Sequence, residues 1–558
     1  MKGTPMFTLP RKRAALLAAL SLAGLTTAAC SSSDGKPADS ASPRGTTELT
    51  VFAPQSANQD LQTAAFTKIV SGKFKIKFKF QTTTFDGGPA KEKRQISLAS
   101  GDYPDLYLLI PWVDQFERSE LLKLSKQGVI LPLNDLIAKY APNIQKALET
   151  NLAYKTLATA PDGKIYGLPQ WNDCYHCSYQ AKLWMNSAWL KKLGLSMPKT
   201  TEDMRTVLRA FKTKDPNGNG KADEIPLSGS TADVLLPYFM NAFLYDPQGS
   251  DSYPSTLALS SGKVQLQAAQ DKWRDGLRYL ASLQKEGLID PGAFSQNRGA
   301  MMAKGDNADA VIVGAATTIH PALLVTLGQK GGRDKDYDPV PPLTGPDGVG
   351  YASYNLPSAP GATFVLTNKA TEQDQIAAIK MLDYMFTDEG HILGEFGEEG
   401  VAWEKPDAKD VALDKNLKPL YEVIPADPDA PPTNAAWGAL TQYNSRREFR
   451  DAQVQPTDIY DPAGFERRLF EATKLYEGKE PKDQIFPYWN LWLGTDVAGE
   501  AATLQTNIQN YVAQSSLEFV TGKKNVDSDE DWASYLEGLN GLGLQRYLQI
   551  QQQAYDAQ

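Results

Sequence analysis

An α/β fold in at least two domains is predicted by two observations. Segments of strand period alternate with segments of helix period at the start of the globular chain, which implies a mainly parallel sheet. The sequence also runs to 558 residues, and a single hydrophobic core does not grow to that size. Taken in order, "ELTVFA" (48–53) reads as a strand, 59–70 as a helix and "KFKIKFKFQT" (73–82) as an alternating strand. Residues 90–100 read as a second helix and "DLYLLI" (105–110) as a buried strand. Lysines alternating with Phe and Ile in 73–82 imply a strand with a wet face or at a wet edge. Farther on, Ile376, Ile379, Leu382, Met385 and Phe386 mark one face of a packed helix.

The N-terminus carries an export signal. "RKRAALLAALSLAGLTTAAC" (11–30) has a basic start in Arg11, Lys12 and Arg13, an apolar stretch too short to span a bilayer comfortably, and small Ala28 and Ala29 before Cys30. It resembles a bacterial lipoprotein signal (1–29). That resemblance implies that Cys30 is lipidated, with palmitate among the acyl groups, and becomes the mature N-terminus. Thr27 departs from the Leu usual in such signals, and a plain cleaved signal with an incidental Cys is the alternative. The stretch that follows is Ser, Pro, Gly and charge, so 30–47 reads as a flexible tether. Eighteen residues from Ser31 reach roughly 23 Å. Removing 1–29, with Lys2, Arg11, Lys12 and Arg13, takes the formal charge from -9 to -13. So acidic a body argues against nucleic acid as a partner.

"DPNGNGKADE" (215–224) places oxygen-bearing side chains at alternate positions around a glycine turn. The spacing resembles the first ten positions of an EF-hand calcium loop: Asp215, Asn217, Asn219, the Lys221 carbonyl and Asp223, with Gly220 at the turn. Position 12, a bidentate Glu in the EF-hand, is Pro226, which leaves closure of the sphere to Glu224 or to water. An exposed turn is the plain alternative. Before the loop, Met204, Val207, Leu208 and Phe211 recur at helical spacing behind a Thr200–Asp203 capping box. After it "EIPLSG" is extended. One loop with no pairing partner makes the ion structural rather than a sensor.

"DCYHCSY" (173–179) holds Cys174, His176 and Cys177. A redox motif would sit at a helix start in a thioredoxin-like unit that is not evident. A zinc site needs a fourth ligand, and His320 and His391 lie far away in sequence. Outside the membrane a local Cys174–Cys177 disulfide is the economical reading.

Several segments together carry a family resemblance: "ASGDYPDLYLL" (99–109), "DGKIYGLPQW" (162–171), "WLKKLGLSMPKTTEDM" (189–204), "KEGLIDPGAF" (285–294) and "MLDYMFTDEG" (381–390). In this order they resemble the sugar-binding, lipoprotein-type extracellular solute-binding proteins (family 1) of bacterial ABC importers, and are similar to alginate-oligosaccharide-binding members. The resemblance implies a type II periplasmic-binding-protein-like fold, two discontinuous α/β lobes joined by a hinge. The implied N-lobe is 48–170 with 362–405, and the C-lobe is 171–361 with 406–558. It implies a structural Ca2+ held by Asp215, Asn217, Asn219, Lys221, Asp223 and Glu224. It also implies a monomeric, extracytoplasmic protein, lipid-anchored to the cell membrane, that hands a carbohydrate to ABC permease subunits.

A sugar cleft stacks aromatic side chains on ring faces and bonds the ring edges with polar groups. Loop positions make Trp112, Trp171, Trp403, Trp437 and Trp489 candidates, with Asn172, Tyr175 and Glu399 beside them. Ordinary packing is the competing reading for each Trp, and core is the reading for Trp189 and Trp273. The alternative function is a secreted carbohydrate-active enzyme, a glycoside hydrolase or lyase, with Glu398 and Glu399 as conceivable acid and base. No G-x-S-x-G, Walker A, H-E-x-x-H or G-x-G-x-x-G motif accompanies them.

Overall fold

The computed structural model describes residues 45–248, 256–328, 332–424 and 433–557. The export signal, Cys30 and most of the tether lie outside the described residues.

The strand Thr47–Pro54 runs parallel to Ile76–Thr83 and to Leu106–Leu108. On the far side of Leu106–Leu108, the strand Phe364–Leu366 pairs antiparallel. Ile76–Thr83 is the edge of this four-stranded sheet, which is why its alternating lysines are tolerated: Lys77 and Lys79 project outward and pair with Glu48. The helix expected over 59–70 forms instead as Ala65–Phe74. Its start is displaced because a distant segment caps it: the Ala65 and Phe66 amides donate to the Asn434 and Ala435 carbonyls at 3.0 and 2.9 Å. It ends at Lys75, left-handed at φ 57°, which turns the chain into the edge strand.

Glu372–Met385 forms the later helix, opened by a Thr371–Asp374 capping box. Its Asp383 accepts the Asn143 and Ile144 amides at 2.8 and 2.9 Å, capping the helix Pro142–Thr150 from outside. A second sheet has Leu183–Asn186 at its centre, antiparallel to Ala315–Thr317 and Tyr337–Val340. Around it pack the helices Thr201–Thr213, Asp271–Lys285, Ala498–Val520, Asp529–Gly541 and Leu544–Asp556.

The two sheets have separate hydrophobic cores, and among the described residues the chain crosses from one to the other in three places, with Trp489 and Trp492 later reaching back to the first sheet. Trp171 belongs to the first core and Tyr175 to the second. The return lies between Ala352 and Leu356. The third passage follows Tyr443, not residue 405: Trp437, Leu440 and Tyr443 all pack in the first core. The expected second-lobe start at 406 is corrected by this packing. Trp437 is 2% exposed, its indole donates to Thr67 Oγ1 at 2.7 Å, and its ring meets Phe66, Phe78 and Phe80 edge-on. Those contacts hold the segment against the first sheet. No helix among the described residues is long and apolar enough to cross a membrane.

Candidate functional site

The three passages hydrogen-bond to one another. The Asn172 amide donates to the Pro357 carbonyl at 3.0 Å, the Asp173 amide to Ser445 O at 2.8 Å, and the Ser445 amide to Trp171 O at 2.9 Å. A cavity of about 170 Å³ opens beside them, lined by Trp112, Gln170, Asn172, Gln180, Ser358 and both Cys174 and Cys177, among others. Ala359 also lines a second cavity of about 480 Å³, which has Gln115 and Glu117 on one wall and Phe486 and Tyr488 on another.

Trp112 stands out at this opening. It sits at a turn closed by the Val113 and Asp114 amides donating to Ile110 O, both at 2.9 Å, and is 53% exposed. Asp114 is fastened by Arg94, which is fully buried and donates to both carboxylate oxygens at 2.6 and 3.1 Å. A rigid turn therefore presents a wet indole face, the arrangement that stacks on a flat apolar ring face. Gln170, Asn172, Gln180 and Ser358 add amide and hydroxyl edges, and Gln170 Oε1 is buried without a partner.

The other candidates divide. Trp171 is 9% exposed and packs edge-on against Tyr154 in the first core, so it supports the cleft wall rather than lining it. Asn172 lines the cavity and ties two passages: its Nδ2 donates to Gln442 at 3.0 Å and its Oδ1 accepts from Arg450 at 3.1 Å. Tyr175 is buried, with its hydroxyl donating to Glu477 at 2.8 Å and the Arg447 guanidinium 4.4 Å from its ring. Burial and that carboxylate push the phenol well above its usual range.

Trp403, Trp437 and Glu399 do not line this cavity. Trp403 is buried with its indole donating to Gly397 O at 2.7 Å, in a small cluster with Tyr421 and Phe449. Trp437 is core, as described. Glu399 is exposed and paired with Lys405 at 2.7 Å. Trp489 is half-buried against the first core, and its carbonyl accepts from Arg118. Gln170, Gln180 and Ser358 were missed, since polar residues in turn-rich segments carry no periodic signal.

The 215–224 loop is folded as a turn of converging oxygens. Asp215, left-handed at φ 44°, accepts the Gly218, Asn219 and Gly220 amides at 2.9, 3.1 and 3.0 Å. Asn217 Oδ1 accepts from the Asn219 amide at 2.9 Å and Asn219 Oδ1 from the Lys221 amide at 2.8 Å. Asp223 accepts both asparagine side-chain amides. Glu224 Oε1 is buried with no partner, and burial, with Asp215 and Asp223 nearby, pushes its carboxyl up. An orphaned carboxylate oxygen beside two more carboxylates fits a hard cation, because a cation would satisfy all three.

Residues 57–392 match the bacterial extracellular solute-binding protein family. The chain belongs to that family, and its architecture is that of a two-lobed solute-binding protein. The fructooligosaccharide ABC transporter substrate-binding protein FusA of Streptococcus pneumoniae is 29% identical over 474 residues, 83% of this chain and 82% of that protein. The structure of FusA in complex with kestose superposes with a TM-score of 0.68 at 26% identity, covering 91% of this chain and 99% of the other. A solute-binding protein of Bifidobacterium longum infantis matches in fold, with a TM-score of 0.72 at 21% identity over 92% and 99% of the two chains.

Proposed function

We infer that this protein is the substrate-binding component of an ABC importer, capturing an oligosaccharide between its lobes and delivering it to a membrane permease. The observation that carries the reading is Trp112: a large indole, half exposed on a braced turn, at a cavity bordered by polar edges and by the lobe passages. Exposed Trp held rigid is a stacking surface. Named relatives support the carbohydrate class, since FusA is described as a fructooligosaccharide-binding protein and one of its structures holds kestose.

The same reading makes the protein a monomer anchored by a lipid at Cys30, with the tether holding its body near the membrane. Calcium would sit in the 215–224 loop, ligated through Asp215, Asn217, Asn219, the Lys221 carbonyl, Asp223 and Glu224. A related solved structure is described as an EF-hand mutant of FusA, which supports the ion. Bound calcium supplies charge neutralisation for three carboxylates and fixes the chain between the helix Thr201–Thr213 and the second sheet.

The test is a Trp-fluorescence titration of the calcium-loaded chain from Ser31 against a panel of oligosaccharides, with chromatography of each mixture. Saturable quenching with the sugar recovered intact supports the binding protein. Cleaved sugar would favour a carbohydrate-active enzyme instead, and silence across the panel would remove carbohydrate as the ligand class.

A further inference from the structure

We propose that Cys174, His176, Cys177 and Glu466 form a redox-gated site for a thiophilic divalent cation of zinc's type. Cys174 and Cys177 are disulfide-bonded, with Cα atoms 5.2 Å apart, and the short turn His176–Ser178 folds the histidine back over them. The donor atoms of Cys174, His176 and Cys177 all lie within 4.8 Å of one another. Cys174 Sγ is 3.6 Å from both ring nitrogens of His176. A tetrahedral zinc with Zn–S about 2.3 Å and Zn–N about 2.1 Å separates sulfur and nitrogen by roughly that distance.

The carboxylate next to the motif, Asp173, is held by the Arg447 guanidinium at 3.1 Å, and folding brings up another. Glu466, in the first turn of the helix Phe465–Thr473, brings Oε2 to 3.4 Å from His176 Nδ1. Beside it, the His320 ring packs edge-on against Phe465, and His320 Nδ1 is buried without a partner. Access is from the cavity that both cysteines line, and His176 and Glu466 border a separate void of about 10 Å³ together with Arg450.

Oxidised, the two sulfurs are bonded to each other and donate nothing. A dithiol reductant opens the site by exchange: its two thiols close to a disulfide, two electrons pass to the Cys174–Cys177 bond, and each Sγ takes a proton. The cation then displaces those two protons and binds both thiolates, the imidazole and the Glu466 carboxylate.

The experiment uses the mature chain carrying Cys30→Ser, so that Cys174 and Cys177 are the only cysteines. Cobalt(II) is added in excess calcium, which keeps the all-oxygen loop filled, before and after reduction with a phosphine. The expected result is a thiolate-to-cobalt charge-transfer band with tetrahedral visible bands in the reduced protein only, bleached by zinc. Glu466→Gln should retain the charge-transfer band with affinity weakened on the order of tenfold or more, and Cys177→Ser should lose the tetrahedral spectrum. Calcium-dependent melting of each variant reports that it is folded, and the wild-type comparison needs no variant. A reduced wild type without the charge-transfer band overturns the site. Equal cobalt affinity in wild type, His176→Asn and Glu466→Gln would also overturn it.

Discussion

Trp112 and Trp437 are the same residue type in opposite circumstances, one half exposed on a turn and the other 2% exposed in a core. Trp112→Ala should therefore raise the sugar Kd roughly tenfold, about 1.4 kcal/mol, while leaving the melting curve nearly unchanged. Trp437→Ala should do the reverse, costing about 3–5 kcal/mol of stability with little change in Kd, as chemical unfolding and titration of the two variants would reveal. Loop position alone makes both of them candidates. The core partners Thr67, Phe66 and Phe78 lie more than 350 positions away in the chain, so only folding distinguishes the two. Asp246 offers a pH test. It is fully buried, one carboxylate oxygen lacks a partner, and desolvation pushes its pKa up to about 7. A carboxyl raised in the folded state holds its proton there while the unfolded chain has lost it, so its contribution to stability falls as pH rises from about 4 to 7. Asp246→Asn should flatten that part of the wild-type stability profile; parallel profiles for the two proteins would refute the assignment.

At the scale of the element, the 215–224 loop was the most legible feature, because ligand spacing is a local property. The Thr200–Asp203 capping box and the buried stripe of Met204, Val207, Leu208 and Phe211 form as the sequence pattern implies. Chelation should lower the melting temperature of the wild type, and Asp215→Ala with Asp223→Ala should melt like the chelated protein whether or not calcium is present. A double variant that melts like calcium-loaded wild type would rule out a structural ion. The helix Ala65–Phe74 shows what a local reading cannot carry. Its N-terminus is capped by the carbonyls of Asn434 and Ala435, so its first residue depends on a segment some 370 positions downstream.

For the whole molecule, three passages between two cores are the geometry of a hinge, and a ligand touching both sides would draw the lobes together. A bound sugar should thus reduce the radius of gyration in small-angle scattering, and at a hundredfold excess over Kd should stabilise the protein by about 2.7 kcal/mol. Unchanged scattering at saturation would mean that the lobes do not move. What the sequence by itself determined was whatever depends on near neighbours: the α/β alternation, the wet edge strand, the calcium-type loop, the paired cysteines and the family. Tertiary structure decided the third passage after Tyr443, the burial of Trp403 and Trp437, the exposure of Trp112, and the meeting of His176 with Glu466. Trp437 and the His176–Glu466 pair join side chains hundreds of positions apart, and Trp403 is buried by partners as far off as Phe449; in each case burial is set by which surfaces the folded chain brings together rather than by the residues beside them.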